Sequence, residues 1–345
     1  KMNNGKPVKQ YSARYWELLK KVVNLAREHG QNLYLTYPLE TSKITLEGEK
    51  YSFDFIDFDK RVEFLIKEGG LKRIEGGPLG GKSHGKTAVL VPDGKGKIKA
   101  TPFEDPVAQR FLSQFVPALW QHLKDKGWDK MYLQHVSDEP TDISSYNAVA
   151  HYIKSQAPGI KTVEATILAE KIKGNLDVQV PIMWAYKQHE AFYKEHQAAG
   201  GEVWFYTSCD DRNHANRFLS RHLLQTRAMH WFNFRYGITG YLHWGLNWWE
   251  KIGGASPLYT EKLSSFPAGD SWIIYPADGR AFSSLRFAAM RDGIADYELL
   301  KLLAKKDPVK AAKLAAAIIP ASNKYVKTVA EFRKARRQLL LALAE

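Results

Sequence analysis

Apolar residues recur along this chain in two alternating rhythms. In "YWELLKKVVNLAREHG" (15–30) they fall three and four positions apart, the spacing of one helical face, and Gly30 closes the run. "NLYLTYPL" (32–39) then reads as a strand. "FDKRVEFLIKEGG" (58–70) predicts a helix with a glycine stop, and "LKRIEGG" predicts a second strand. "DPVAQRFLSQFVPALWQHLKDKG" (105–127) predicts a long amphipathic helix that Pro117 should kink or interrupt. A strand from Met131 follows, then a helix for which Asp142 is a suitable N-cap. The alternation continues with strands at 161–166 and 178–185, a helix at 187–201, a strand at 202–208, a helix at 216–235 and a last strand in "GITGYLHWGLN" (237–247). Two further helical segments, "DPVKAAKLAAAII" and "VKTVAEFRKARRQLLLALA", finish the chain.

Strands alternating with helices indicate a parallel sheet covered by helices. Seven strand candidates can be counted, at 33–37, 71–75, 131–137, 161–166, 179–184, 202–207 and 238–244. The expected fold is α/β, a (β/α)8 TIM-like barrel missing its first strand, with a C-terminal helical extension. Residues 1–303 would form the barrel and 304–345 helices packed on it. The eighth strand would precede the first helix, where only a short polar leader stands. Either the chain is N-terminally incomplete or that strand is irregular. An open doubly wound sheet is the structural alternative. Residues 83–101, with a Pro-Asp-Gly turn between two β-like runs, read as a hairpin inserted in a loop.

Composition narrows the class. Hydrophobic residues make up 44% and charged residues 25% of the 345, as in soluble globular proteins. No apolar run approaches the roughly 18 residues that span a bilayer, and the start shows no apolar leader segment. The single cysteine, Cys209, excludes an intramolecular disulfide and a cysteine-cluster zinc site. It fits the cytosol and many secreted or periplasmic bacterial enzymes alike. Net charge is +13, of which residues 301–345 supply eight Lys and three Arg against three acids. This reads as a solvated helical surface; no motif points to a nucleic-acid partner.

"GGPLGGKS" (76–83) matches the phosphate-loop pattern literally, which makes an NTPase a remote alternative. A phosphate loop opens directly into a helix whose amides and dipole hold the anion. Here Ser83 runs on into "HGKTAVLVPDG", the chemistry of a strand and turn.

The candidate chemistry lies at strand ends. "MYLQHVSDEPTD" (131–142) ends in adjacent acids, Asp138 and Glu139, before Pro140. At the C-terminal end of a barrel strand such residues read as catalytic. The residue before proline is biased to extended backbone, so the two carboxylates should project to opposite sides. The other reading is an exposed loop pair that caps the next helix. Further strand ends carry Trp184 and Tyr186, Tyr206, and His243, Trp244, Asn247 and Trp248; with His135 these form the candidate substrate-binding set. Aromatic faces and polar tips together suit a pyranose. No His-Glu-x-x-His pair suggests a metal, and no Gly-x-Ser-x-Gly elbow supports a serine triad.

"SDEP" after a strand, "VWFYTSC", "NRFLSRHLLQTRAMHWFNFRYGITGYLHWGLNWW", "GDSWIIYP" and "SSLRFAAMRDGIADYELL" together resemble the catalytic barrel of glycoside hydrolase family 123. The resemblance runs from about Tyr15 to Leu303. It implies a retaining β-N-acetylgalactosaminidase that works by substrate assistance, without cofactor or metal, on a glycan or glycoconjugate ending in a β-N-acetylhexosamine. Glu139 would be the general acid and then the base, with a raised pKa, and Asp138 would orient the acetamide. Tyr206 would hydrogen-bond the acetamide oxygen. Family members usually carry an upstream β-sandwich domain, a point on which this sequence departs from the pattern; a secreted or periplasmic location is expected, with the cytoplasm as the alternative. A glycosidase pairing Glu139 with another acid, such as Asp210 or Glu250, and a carbohydrate-binding relative without turnover remain as alternatives.

Overall fold

The computed structural model describes residues 2–3, 6–172, 174–209, 212, 214–249, 262–263 and 266–345. The chain divides into two compact units, Gln31–Val180 and a second made of Lys1–Gly30 with Pro181–Glu345. Asp210 and Glu250, the two acids considered as partners for Glu139, lie outside the described residues.

The Gln31–Val180 unit is built on five parallel strands: β1 (Leu33–Thr36), β2 (Arg73–Gly76), β3 (Tyr132–Gln134), β4 (Lys161–Ala165) and β5 (Val178–Val180). They pair in chain order, with Leu35 opposite Glu75, Glu75 opposite Leu133, Gln134 opposite Thr162 and Glu164 opposite Gln179. β3 and β5 are buried along their whole length, as expected for strands covered on both faces. Helices Ile56–Gly69, Pro106–Asp125 and Ile143–Gln156 stand between successive strands. Gly70 ends the first of them in the left-handed conformation, at φ 63. Asp142 caps the third, its carboxylate accepting the Ser145 amide at 2.8 Å.

The second helix continues through Pro117 without the interruption that was one of the two expected outcomes. Its apolar face is buried on both sides of the proline, with Phe111, Leu112 and Phe115 before it and Leu119 and Leu123 after. Each buried side chain of this size contributes about 2 kcal/mol. Together they outweigh the ~3 kcal/mol that an internal proline costs.

The expected hairpin exists and gains a strand. Gly80–Ser83, Lys86–Pro92 and Ile98–Pro102 form a three-stranded antiparallel sheet. The glycine-lysine segment is thus a strand, with Gly81 opposite Ala88 and Lys82 opposite Thr87. It opens into no helix, so the phosphate-loop reading fails on structure as well as on sequence.

The second unit holds the parallel pair β6 (Glu202–Tyr206) and β7 (Gly240–Leu242). All seven expected parallel strands therefore form. Within each unit they neighbour one another in chain order, as in a barrel winding; a doubly wound sheet would reverse direction at a switch point. The run at 178–185 is strand only to Val180. Ile182 makes an isolated bridge to Tyr206, and Met183–Gln188 is a short helix. Helix Leu223–Arg235 packs on Leu285–Lys306 through Gly293, where a Cβ would fall 2.5 Å from the Arg227 carbonyl. The buried Asp296 carboxylate ties three helices together: it accepts from Arg227 at 2.7 and 2.9 Å, Trp231 at 3.1 Å and Arg336 at 2.9 Å. Among the described residues, no helix is long and apolar enough to cross a membrane.

Candidate active site

The β3 end is fixed group by group before it reaches the acid pair. The His135 amide donates to the Gly76 carbonyl at 3.1 Å. Its own carbonyl accepts from Gln134 Nε2 at 2.7 Å and from the Leu79 amide at 3.3 Å. The Val136 carbonyl accepts from the Gly80 amide at 2.7 Å. The Val136 and Ser137 amides both donate to one oxygen of Glu164, Oε2, at 3.0 and 3.1 Å. Ser137 is the last buried residue; Asp138 and Glu139 are exposed, and Pro140 is buried again.

Glu139 departs from expectation in conformation. Its φ is 42, left-handed rather than extended. A non-glycine residue there carries of order 1–2 kcal/mol of strain, and the following proline restricts it further. Alternation along an extended chain therefore does not set how the two carboxylates project. Strain of this kind concentrates at functional sites.

His135, expected to contact substrate, has both ring nitrogens engaged inside the protein. Nδ1 lies 2.7 Å from Glu164 Oε1 and Nε2 lies 2.7 Å from Glu75 Oε1. Burial pushes the imidazole down, but the two carboxylates outweigh it and hold its pKa well above the ordinary value. Glu164 is fully buried; burial raises its carboxyl, and the His135 cation pulls it back. Its Oε2 also accepts from Tyr146 Oη at 3.3 Å. Neither Glu75 nor Glu164 was among the expected site residues. The signal was present in "RIEGG" and "TVEAT", where a lone acid interrupts an apolar strand and must be paired when buried.

Tyr37, at the end of β1, was also missed. It is 37% exposed, and a Cβ on Gly77 would meet its ring at 2.6 Å, so only glycine lets the ring lie there. Burial, then the Glu40 and Glu75 charges, and last Asp138, raise its phenol.

In the other unit the expected aromatics separate into two kinds. Tyr186 is fully buried, stacked on Tyr193 at 5.3 Å and edge-on to Phe232 at 5.5 Å; it is a core residue with no face for a sugar. Tyr206 is buried at the end of β6. Trp184 is half-buried, on the short helix rather than a strand end, and the Arg212 guanidinium covers its ring at 3.5 Å.

Trp244 and Trp248 are the exposed pair, at 39% and 46%, with ring centroids 6.0 Å apart. Asn247 is exposed beside them. Asp270, which sequence reasoning passed over, fixes this corner. Fully buried, it accepts from Trp244 Nε1 at 3.1 Å and from His243 Nε2 at 3.0 Å. His243 Nδ1 in turn accepts the Gly245 amide at 3.0 Å. The ring is therefore the neutral tautomer carrying its proton on Nε2, and both nitrogens are used. Burial first, then the Arg217 charge, drive its pKa down to about 3 despite Asp270. Within the one unit His243, Trp244 and Trp248 stand together; within the other, Asp138 and Glu139 follow His135 at the end of β3.

Residues 4–303 match the family model of the glycoside hydrolase 123 catalytic domain. The chain belongs to glycoside hydrolase family 123. Among solved structures it is similar to a family 123 glycoside hydrolase from Clostridium perfringens, studied for glycolipid glycan hydrolysis. Identity is 15% and the TM-score 0.75, over 96% of this chain and 65% of that one. The fold is thus shared, and this chain spans just under two thirds of that relative's length. A GH10 xylanase from Thermobacillus composti is more distant, with 11% identity and a TM-score of 0.44 over 80% of this chain and 94% of that one. A β-galactosidase from the psychrophilic Marinomonas ef1 has 10% identity and a TM-score of 0.49, over 89% and 60%. No curated protein matches the sequence.

Proposed function

We propose that this family 123 member hydrolyses the glycosidic bond of a terminal β-linked N-acetylgalactosamine, with retention and by substrate assistance. The observation that supports it most is the exposed carboxylate pair Asp138–Glu139, presented at the end of β3 by a backbone fixed up to Ser137. The Clostridium perfringens relative acts on glycolipid glycans, which favours a glycoconjugate as the substrate class here.

In the first step the substrate's acetamide oxygen bonds to the anomeric carbon as the bond to the aglycone breaks. The departing electron pair stays on the aglycone oxygen, and Glu139 supplies its proton. Asp138 accepts the acetamide N–H and offsets the positive charge that develops on that nitrogen. In the second step the Glu139 carboxylate takes a proton from water, whose oxygen attacks the anomeric carbon and opens the oxazoline. No carboxylate nucleophile about 5 Å from the acid is needed, which explains why the two acids can be adjacent. Within the other unit, Trp244 and Trp248 present flat apolar faces of the kind that stack on sugar rings, and Asn247 a polar tip.

The test is hydrolysis of aryl β-N-acetylgalactosaminide and β-N-acetylglucosaminide. Glu139→Gln and Asp138→Asn should each lower turnover by about 10²–10⁴-fold. Full activity in either variant would refute the assignment. A thiazoline mimic of the oxazoline should inhibit tightly; indifference would point to a second enzymic carboxylate instead. Sugar binding lost in Trp244→Ala, with no turnover in the parent, would mean a binding protein.

A further inference from the structure

We propose that Glu75, His135 and Glu164 form a clamp that positions Glu139 for proton transfer; this rests on the acid role given to Glu139 above. His135 and Glu164 are then positioning residues, although the first resembles a substrate ligand on sequence.

Two short contacts, 2.7 Å from each ring nitrogen to a carboxylate, need a proton in each. With neutral His135 and two ionised acids, one nitrogen lone pair would face a carboxylate. The geometry therefore holds one more proton than that, and with a carboxylate on each side raising its affinity the ring carries it, as an imidazolium. All three side chains are buried, so the charges hold one another rather than water. The imidazolium fixes Glu164 Oε1, which leaves Oε2 aimed at the Val136 and Ser137 amides. Charge-assisted bonds of this kind are roughly twice as strong as neutral ones.

The clamp stops two residues short of Glu139. Beyond Ser137 the chain enters the left-handed turn at φ 42 immediately before Pro140. Such a conformation persists only where the surroundings over-determine it. Glu164, held on β4, and the Gly80 amide, which binds the Val136 carbonyl, fix the chain on the near side of this turn, as the Thr141 hydroxyl on the Gly85 carbonyl does beyond it. Releasing Glu164 would let the turn relax and move the carboxyl away from the departing oxygen. That loss costs most where the departing group most needs its proton.

The experiment uses 2,4-dinitrophenyl, 4-nitrophenyl and phenyl β-N-acetylgalactosaminides, whose leaving groups are progressively more basic. Glu139→Gln should lower kcat/KM, which reports the step that expels the aglycone, only a few-fold on the dinitrophenyl substrate and by about 10²-fold or more on the phenyl substrate. Glu164→Ala should show the same gradient in kcat/KM. Glu164→Gln should stay near the parent on all three, because its carbonyl can accept the two amides while its NH2 donates to neutral His135. His135→Phe provides a second break in the clamp, with the same gradient expected, and thermal melts of each variant establish that the protein assayed is folded. A Glu164→Ala variant slowed equally on all three substrates, or not at all, overturns the clamp while leaving the role of Glu139 intact. A Glu139→Gln variant without a gradient removes the acid role, and the clamp with it.

Discussion

Glu139 shows what a single residue contributes at this site. Its backbone sits at φ 42, where glycine is at ease and a residue with a Cβ is not. A side chain selected for stability alone would not be glutamate. Glu139→Gly and Glu139→Ala both remove the carboxylate, but only Ala keeps the strained Cβ. The Gly variant should therefore be the more stable of the two by about 1 kcal/mol, read from paired denaturant titrations. Equal stability would mean that the left-handed turn carries no cost. The residue pair was legible in the sequence because two adjacent acids after a strand are conspicuous. The turn was not: the bias of a pre-proline residue toward extended backbone pointed the other way, and hydrogen bonds from separate strands overrode it.

The glycine-rich strand at 80–83 supports the β3 end from outside the parallel sheet, through the Gly80 amide. A Cβ on Gly80 would lie 2.6 Å from the Val136 carbonyl oxygen and 3.1 Å from that of Ala88, both backbone atoms that cannot swing aside. Gly80→Ala should cost about 1–3 kcal/mol by overpacking. It should also lower hydrolysis by the folded protein, because the shift is transmitted to Val136. A chemical melt and a turnover assay on the same preparation check both, and an unchanged rate would mean that the two strands are uncoupled. Sequence pattern matched this segment literally to a phosphate loop, with a glycine-rich loop after a strand as the other reading. Neither anticipated a strand, since glycine has low strand propensity and only the neighbouring β-run can recruit it.

At the scale of the whole molecule, buried histidines set opposite limits on stability. His230 is buried with Nδ1 on Asn233 and its pKa lowered by burial to about 4, and His243 is lowered to about 3. Below the ordinary imidazole value of 6.5 the unfolded chain takes up protons that the folded chain refuses, so stability falls as pH drops from 6.5 toward about 4. His135 acts in reverse. Its raised pKa gives stability that is complete below 6.5 and is lost as pH rises through its folded value. Melting temperature should thus pass through a maximum near neutrality. His230→Gln should flatten the acid side between pH 6.5 and about 4 without changing the alkaline side. An acid side of unchanged slope would show that His230 does not stay neutral in the folded protein.

By itself the sequence determined the order and kind of the elements, because helix and strand periodicities are local properties of the chain. All seven parallel strands form near where those periods put them, the fifth stopping at Val180, while the 22-residue helix Leu285–Lys306 was not among the expected elements and the helix expected at 216–235 begins at Leu223. It also marked Asp138 and Glu139, since their adjacency and place after a strand need no tertiary information. Tertiary structure alone decided which aromatics are exposed: Tyr186 and Trp244 occupy similar positions in the pattern, but one is buried among three other rings and the other is held at the surface by Asp270. It alone decided that His135 and His243 are held by carboxylates instead of being open to ligand. The partners, Glu75, Glu164 and Asp270, lie 60, 29 and 27 residues away in the chain. Hydrogen bonding between such distant residues is set by how strands and loops come together, and no local pattern encodes it.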